Sequence, residues 1–253
     1  MTTTDKIMLT DQVAIVTGGG GGIGQGIALA LAEHGANVVI ADIEPARCED
    51  TAAKVRALGR RALGIPTDVM ESDQIRAVVE ATDKEFGRVD ILINNAGGSR
   101  PIPWDSPDAA WDESFSINFT AVRRTTHALL PGMIERRWGR VLCVTGTAEP
   151  SGVNAAVAAK AGVHAWAKGL SREMGRHGIT INCLSPGRVH SEQIDQRLHP
   201  TPESQAEFAR NIPLGYFGDP SDVAFLAAFL CSPKARYITG ERIHVDGGLH
   251  RAV

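Results

Sequence analysis

The chain of 253 residues has few aromatic side chains, and its only two tyrosines, Tyr216 and Tyr237, lie late in the sequence. Its four cysteines, Cys48, Cys143, Cys183 and Cys231, are scattered with no Cys-x-x-Cys. That spacing excludes a disulfide framework and points to reduced core thiols in a cytoplasmic protein. The eight histidines show no His-Glu-x-x-His or other ligand spacing, so no metal site is expected. No stretch approaches the length of a membrane-crossing apolar run, and Met1 to Met8 contain no apolar segment of signal-peptide length. No basic run stands out and the net charge is −3, which argues against nucleic acid and anionic membranes as partners. Small molecules are the expected partners.

What is present is an ordinary globular balance, 43% hydrophobic and 22% charged, with 27 glycines against 13 prolines. It reads as one α/β domain over residues 1–253, large enough to hold a core without disulfides or metal. The organising stretch is Asp11 to Gly24, where Val13, Ile15 and Val16 form a buried-strand signal running into five consecutive glycines. Ile27, Ala28 and Leu31 then recur at helical spacing. Strand, tight turn and helix in that order suit a pyrophosphate, which glycines approach without a Cβ and which the helix N-terminus attracts. A second strand signal, Asn37 to Ile40, ends at Asp42, whose carboxylate can accept from the adenosine ribose hydroxyls and would repel a 2′-phosphate. The preferred cofactor is therefore NAD rather than NADP. Asp68, near the end of a third strand at Ala62–Ile65, can accept from the adenine amino group or cap the helix beginning near Ser72.

Thr17 to Gly24 as Thr-Gly-x-x-x-Gly-x-Gly, Asp68-Val69, and Asn94-Asn95-Ala96-Gly97 together resemble the short-chain dehydrogenases/reductases, in their 3-oxoacyl-ACP-reductase-like branch. The resemblance continues through Asn118 in Ser-Ile-Asn-Phe-Thr, a fifth strand at Gly139–Val144, Pro186-Gly187 after a sixth, and a closing strand and turn within Ile238–Gly248. It implies a doubly wound Rossmann fold, a parallel sheet of about seven strands with helices on both faces, and a substrate lid at about 190–213. It also implies cofactor contacts from Gly18, Gly22, Ile23, Gly24, Asn95, Ala96, Gly97, Pro186, Gly187, Val189 and Ser191, besides Asp42, Asp68 and Val69. Asn118 would kink a long helix and hold a water, and Lys160 would bond the nicotinamide ribose. A homotetramer is the family expectation, through the helices Asp108–Arg136, Asn154–His177 and Ser221–Leu230.

The resemblance breaks at the chemistry. The family's Tyr-x-x-x-Lys puts a phenol one helical turn before the lysine, so that the ammonium lowers the phenol pKa; here Lys160 is present and position 156 is Ala. The serine expected after the fifth strand is also missing, in a shortened stretch reading Thr145-Gly146-Thr147-Ala148-Glu149. Candidates for the proton-handling role are the Thr145 or Thr147 hydroxyl, a water relay through Asn118 and Lys160, His190, or Glu149. The expected function is NAD(H)-dependent hydride transfer between nicotinamide and a secondary alcohol or ketone with an atypical proton relay. The alternatives are an NAD(H)-binding protein without dehydrogenase activity, and a non-redox lyase or hydratase. For Trp104, Trp111, Phe208, Tyr216 and Phe217, core packing is preferred over a role in the pocket.

Overall fold

The computed structural model describes residues 8–99, 101–146, 149 and 152–251. Strands and helices alternate along it: β1 (Val13–Thr17), α1 (Gly22–Glu33), β2 (Asn37–Asp42), α2 (Pro45–Ala57), β3 (Ala62–Pro66), α3 (Ser72–Phe86) and β4 (Ile91–Asn94). Then come α4 (Asp108–Phe115), α5 (Ala121–Arg136), β5 (Gly139–Val144), α6 (Ala155–Met174), β6 (Ile179–Pro186), α7 (Pro202–Ala209), α8 (Pro220–Cys231) and β7 (Arg242–Val245). All seven strands are parallel, in the order β3-β2-β1-β4-β5-β6-β7. This is the doubly wound Rossmann arrangement, and the order reverses between β1 and β4.

Period-two alternation along the strands feeds two cores, one on each face of the sheet. Ala14 and Val16, Val38 and Ile40, and Ile91 and Ile93 face one side, packed with Ile27 and Leu31 of α1, Val55 of α2 and Val223 of α8. Ile15, Val39 and Leu92 face the other, against Val78 of α3, Leu129 and Met133 of α5, and Val163 of α6. All four cysteines are buried and free.

The switch point has an anchor that hydrophobic pattern does not reveal. Asp90, fully buried just before β4, accepts from the Val13 N–H at 3.0 Å and from the Arg88 guanidinium at 2.6–2.9 Å. It ties the start of β1 to its central neighbour.

The long helix expected at Asp108–Arg136 is interrupted at Ser116–Thr120 by a wider, π-type turn with Asn118 at its centre. Such turns insert one residue into an α-helix and re-aim the side chain there. The helix expected from Asn154 begins one residue later, at Ala155, because the Asn154 side chain caps it, accepting from the Ala156 and Val157 N–H groups. Among the described residues no helix is long and apolar enough to cross a membrane.

Candidate active site

A cleft of about 680 Å³ opens where the strands end, lined by residues that follow β1, β2, β3, β4, β5 and β6 and covered on one side by residues 191–198. Its position at the carboxyl edge, across the β1/β4 switch point, is where open parallel sheets bind ligands.

At one end the wall is backbone. Gly18 sits at φ +61°, in the left-handed region, and a Cβ on Gly24 would overlap the Gly18 carbonyl and lie 2.5 Å from Asn95 Nδ2. Asn95 closes the same turn, donating from Nδ2 to the Gly18 carbonyl at 2.9 Å and the Thr17 carbonyl at 3.2 Å. Thr17 completes it, since its Oγ1 accepts from the N–H groups of Asn95 and Ala96 at 3.0 and 3.1 Å. No side chain caps the start of α1, so its free N–H groups remain available for an anion. Asp42 ends β2 beside this loop, accepting from the Gly20 N–H at 2.9 Å and the Glu44 N–H at 3.2 Å. Gly18, Gly22, Ile23, Asp42, Asp68, Val69, Asn95, Ala96 and Gly97 all line the cleft, while Gly24 is buried beneath it. Asp68 caps its own turn, accepting from the Met70 N–H at 2.9 Å, and does not cap α3.

At the other end the wall is side chains. Lys160 and Ala156 rise from α6 one turn apart and line the cleft with Ile117 of the wide turn, while Asn118 beside Ile117 is buried and outside the lining. Lys160 Nζ donates to the Thr145 carbonyl at 2.9 Å, and burial pushes its pKa down to about 8. Asn118 uses both ends of its amide, donating to the Ser114 carbonyl at 2.9 Å and accepting from the Gly98 N–H at 3.1 Å. Pro186, Gly187, Val189 and Ser191 line the adjoining wall, and the Ser191 Oγ accepts from the Ile194 N–H at 3.3 Å.

Three of the expected proton-handling groups, Thr145, His190 and Glu149, are hydrogen-bonded or ion-paired to other residues. Thr145 lines the cleft, and its hydroxyl is hydrogen-bonded to residues outside the lining, 2.9 Å from the Leu184 carbonyl, 3.0 Å from Ser185 Oγ and 2.8 Å from His164 Nε2. Arg242 Nε extends that network by donating to Ser185 Oγ at 2.8 Å. Burial, with Arg242, His244 and Lys160 nearby, pushes the His164 pKa down to about 4. His190 does not line the cleft: its Nδ1 lies 2.9 Å from Asp195 Oδ1 and its ring packs beside Phe217. Thr147 lies outside the described residues. Glu149 Oε1 lies 3.2 Å from His250 Nδ1 and accepts from the Arg251 N–H at 3.1 Å, away from the cleft lining.

The aromatics divide differently from expectation. Trp104 and Tyr216 are exposed, at 80% and 58%, so neither is core. Phe208 and Phe217 pack in a small cluster of their own with Ile194 and Ile212 under the lid. Residues passed over in the sequence are Thr17, Arg47, His164 and Glu192. Arg47 and Glu192 form a 2.6 Å ion pair between α2 and the lid. The position of Thr17 within the glycine motif was a usable signal; nothing local marks the other three.

The fold and the cleft define a doubly wound dinucleotide-binding protein. A profile of the family described as enoyl-(acyl carrier protein) reductase matches residues 18–250. The 3-oxoacyl-(acyl-carrier-protein) reductase FabG of Vibrio harveyi is 36% identical over 247 residues, covering 96% of this chain and 98% of that protein. The 7alpha-hydroxysteroid dehydrogenase of Escherichia coli (strain K12) is 30% identical, covering 98% of each chain. A solved 7 alpha-hydroxysteroid dehydrogenase complexed with NADH and 7-oxo glycochenodeoxycholic acid superposes with a TM-score of 0.92 at 30% identity, covering 98% of each chain. YwfH, an NADPH-dependent reductase involved in bacilysin biosynthesis, superposes at 0.91 with 26% identity, covering 96% of this chain and all of that one. The chain belongs to the short-chain dehydrogenase/reductase family, in its 3-oxoacyl-ACP-reductase-like branch, a family of oxidoreductases that use nicotinamide cofactors.

Proposed function

We propose that this protein is an NAD(H)-dependent oxidoreductase that interconverts a secondary alcohol and its ketone, with Lys160 handling the proton in place of the absent phenol. The observation that carries the reading is the pairing, in one cleft, of a carboxylate at the end of β2 with a buried lysine amine at the far end of the same groove. The residues suit a dinucleotide: Gly18, Gly20 and Gly24 of the turn leave no room for a Cβ, and the uncapped start of α1 offers N–H groups to a diphosphate. Asp42 would accept from the adenosine ribose hydroxyls and disfavour a 2′-phosphate. Val69, Asn95, Ala96 and Gly97 would line the adenosine side, and Pro186, Gly187, Val189 and Ser191 the nicotinamide side. The nicotinamide, when bound, supplies or accepts the hydride.

The chain's own part is to orient and to move a proton. Ala156 replaces a ring with a methyl, leaving space beside Lys160 for water. An amine with a pKa near 8 exchanges protons readily at neutral pH, so Lys160 can deliver one through that water to a nascent alkoxide. Asn118, held at both ends of its amide, keeps the wide turn shaped around that path. The Thr145 hydroxyl and His190 have no part in it. In this reading residues 1–253 are one dinucleotide-binding unit with its lid at 190–213, working as a cytoplasmic homotetramer.

A second reading, an NAD(H)-binding protein without turnover, draws on the same absence of a phenol and the commitment of Thr145. The test begins with ligand-induced thermal shift against NADH and NADPH, in which stabilisation grows with ligand concentration over its dissociation constant. A larger shift with NADH supports the cofactor assignment, and equal or larger shifts with NADPH overturn it. Ketone-dependent NADH oxidation that disappears in Lys160→Met supports the relay. NADH binding without oxidation across a ketone panel supports the second reading.

A further inference from the structure

The charged residues lining the cleft are Asp42, Glu44, Arg47 and Asp68 after β2 and β3, and Lys160, Arg188, Glu192 and Arg197 on α6 and toward the lid. The lid's cleft-lining carboxylate, Glu192, is taken by Arg47 at 2.6 Å, and Asp195 is taken by His190 and Gln205 at 2.9 and 3.3 Å. Arg188 is therefore a half-buried guanidinium with no carboxylate partner among the described residues. Its Nε donates to His199 Nε2 at 3.3 Å, and its carbon centre lies 4.4 Å above the Phe208 ring. Burial and Arg188 itself hold the His199 pKa below its ordinary value, so this imidazole is an uncharged acceptor at neutral pH. Its ring meets Phe208 and Phe217 at 4.8 and 5.4 Å, fixing the plane of the arginine from behind. The two terminal nitrogens of Arg188 have no acceptor among the described residues, and the side chain lines the cleft. Burial without a counter-charge pushes the guanidinium pKa below its ordinary value.

A cation that is desolvated, immobilised on an aromatic face and left with its fork unpaired is poised for a planar anion. The geometry points to Arg188, assisted by Arg197 at the cleft rim, as the recognition site for a carboxylate carried by the substrate, which makes the substrate class oxo acids or hydroxy acids rather than neutral ketones. This rests on the oxidoreductase reading for the word substrate, though carboxylate binding can be measured without turnover. The cofactor's diphosphate is the rival anion, and the test separates the two.

The protein saturated with NADH is assayed with 4-oxopentanoate, 5-oxohexanoate and 6-oxoheptanoate, each beside its methyl ester, and kcat/KM is compared in wild type, Arg188→Met and Arg188→Lys. The expected result is an acid-over-ester preference of about tenfold or more, lost in Arg188→Met, partly kept in Arg188→Lys and expressed mainly in KM. In parallel, the NADH-bound protein is titrated with hexanoate and with hexanamide by thermal shift. Wild type should respond to hexanoate alone and Arg188→Met to neither, with the NADH shift itself unchanged. A hexanoate response that Arg188→Met abolishes, together with no turnover of any oxo acid, would support the carboxylate site and overturn the oxidoreductase reading. Absence of a hexanoate response in wild type, or equal acid and ester rates, overturns the inference. So does an Arg188→Met variant whose only defect is weaker NADH binding, which assigns the guanidinium to the diphosphate.

Discussion

The two ends of the cleft are built in different ways. One end is made of backbone: a glycine turn, the uncapped start of α1, and main-chain groups tied together by the Asn95 and Thr17 side chains. The lid end is made of side chains drawn from distant segments, Lys160 on α6, Arg188 after β6, and Phe208 and His199 in the lid. A backbone site has little tolerance, because a Cβ added at Gly18, Gly20 or Gly24 collides. A side-chain site can change residue by residue while the strands beneath stay put.

The largest effect should come from breaking the frame under the backbone end. Asp90→Ala removes the acceptor of the buried Val13 N–H and the partner of the half-exposed Arg88, and orphaning a buried donor that was bonded to a charged group costs about 3 kcal/mol. Urea unfolding should show that loss, and a change under 1 kcal/mol, on the order of a surface pair, would mean the strand anchor is not Asp90. Next in size is Lys160→Met, expected to lower ketone reduction about 10²- to 10⁴-fold, the range of general acid–base assistance. In wild type the amine is protonated below its pKa of about 8, so kcat/KM for reduction should fall above that pH and oxidation should rise. A profile flat from pH 7 to 9, bracketing the assigned pKa of about 8, would remove Lys160 from the proton path.

Asp42→Ala should move the NADH/NADPH affinity ratio toward NADPH by about tenfold, as expected when one charged contact of roughly 1.5–3 kcal/mol is lost. An unchanged ratio would place cofactor choice elsewhere, with Arg47 the next residue to vary. His164 offers a smaller, pH-dependent test. Its pKa is about 4 folded against an ordinary 6.5, so its contribution is complete above 6.5 and is lost as the pH falls toward 4. His164→Gln should flatten the decline of Tm across that window, and an identical decline in both proteins would assign the acid lability to other groups. The smallest change is expected from His190→Ala, whose ring is turned to Asp195 and Phe217. Activity should stay within about threefold, a difference worth less than 1 kcal/mol, and a collapse would return His190 to the chemistry.

The sequence alone determined the doubly wound fold, because a fold of this kind is written in local periodicity. Val13, Ile15 and Val16 before a glycine run, and Asn37 to Asp42 after a helix, carry their meaning within a few residues of one another. The glycine turn was equally legible, since its requirement is for missing atoms at adjacent positions. Tertiary structure decided the lid end, where no local pattern specifies which side chains meet. Nothing near Thr145 announces that its hydroxyl will meet His164 and Ser185, nor near His190 that Asp195 will draw it off the cleft. In the sequence Arg188, with Arg197 and Arg210 in the lid, allows an anionic substrate without demanding one. The isolation of Arg188 from every carboxylate among the described residues is a property of several elements at once, because a charge is paired or unpaired only through what the fold brings beside it.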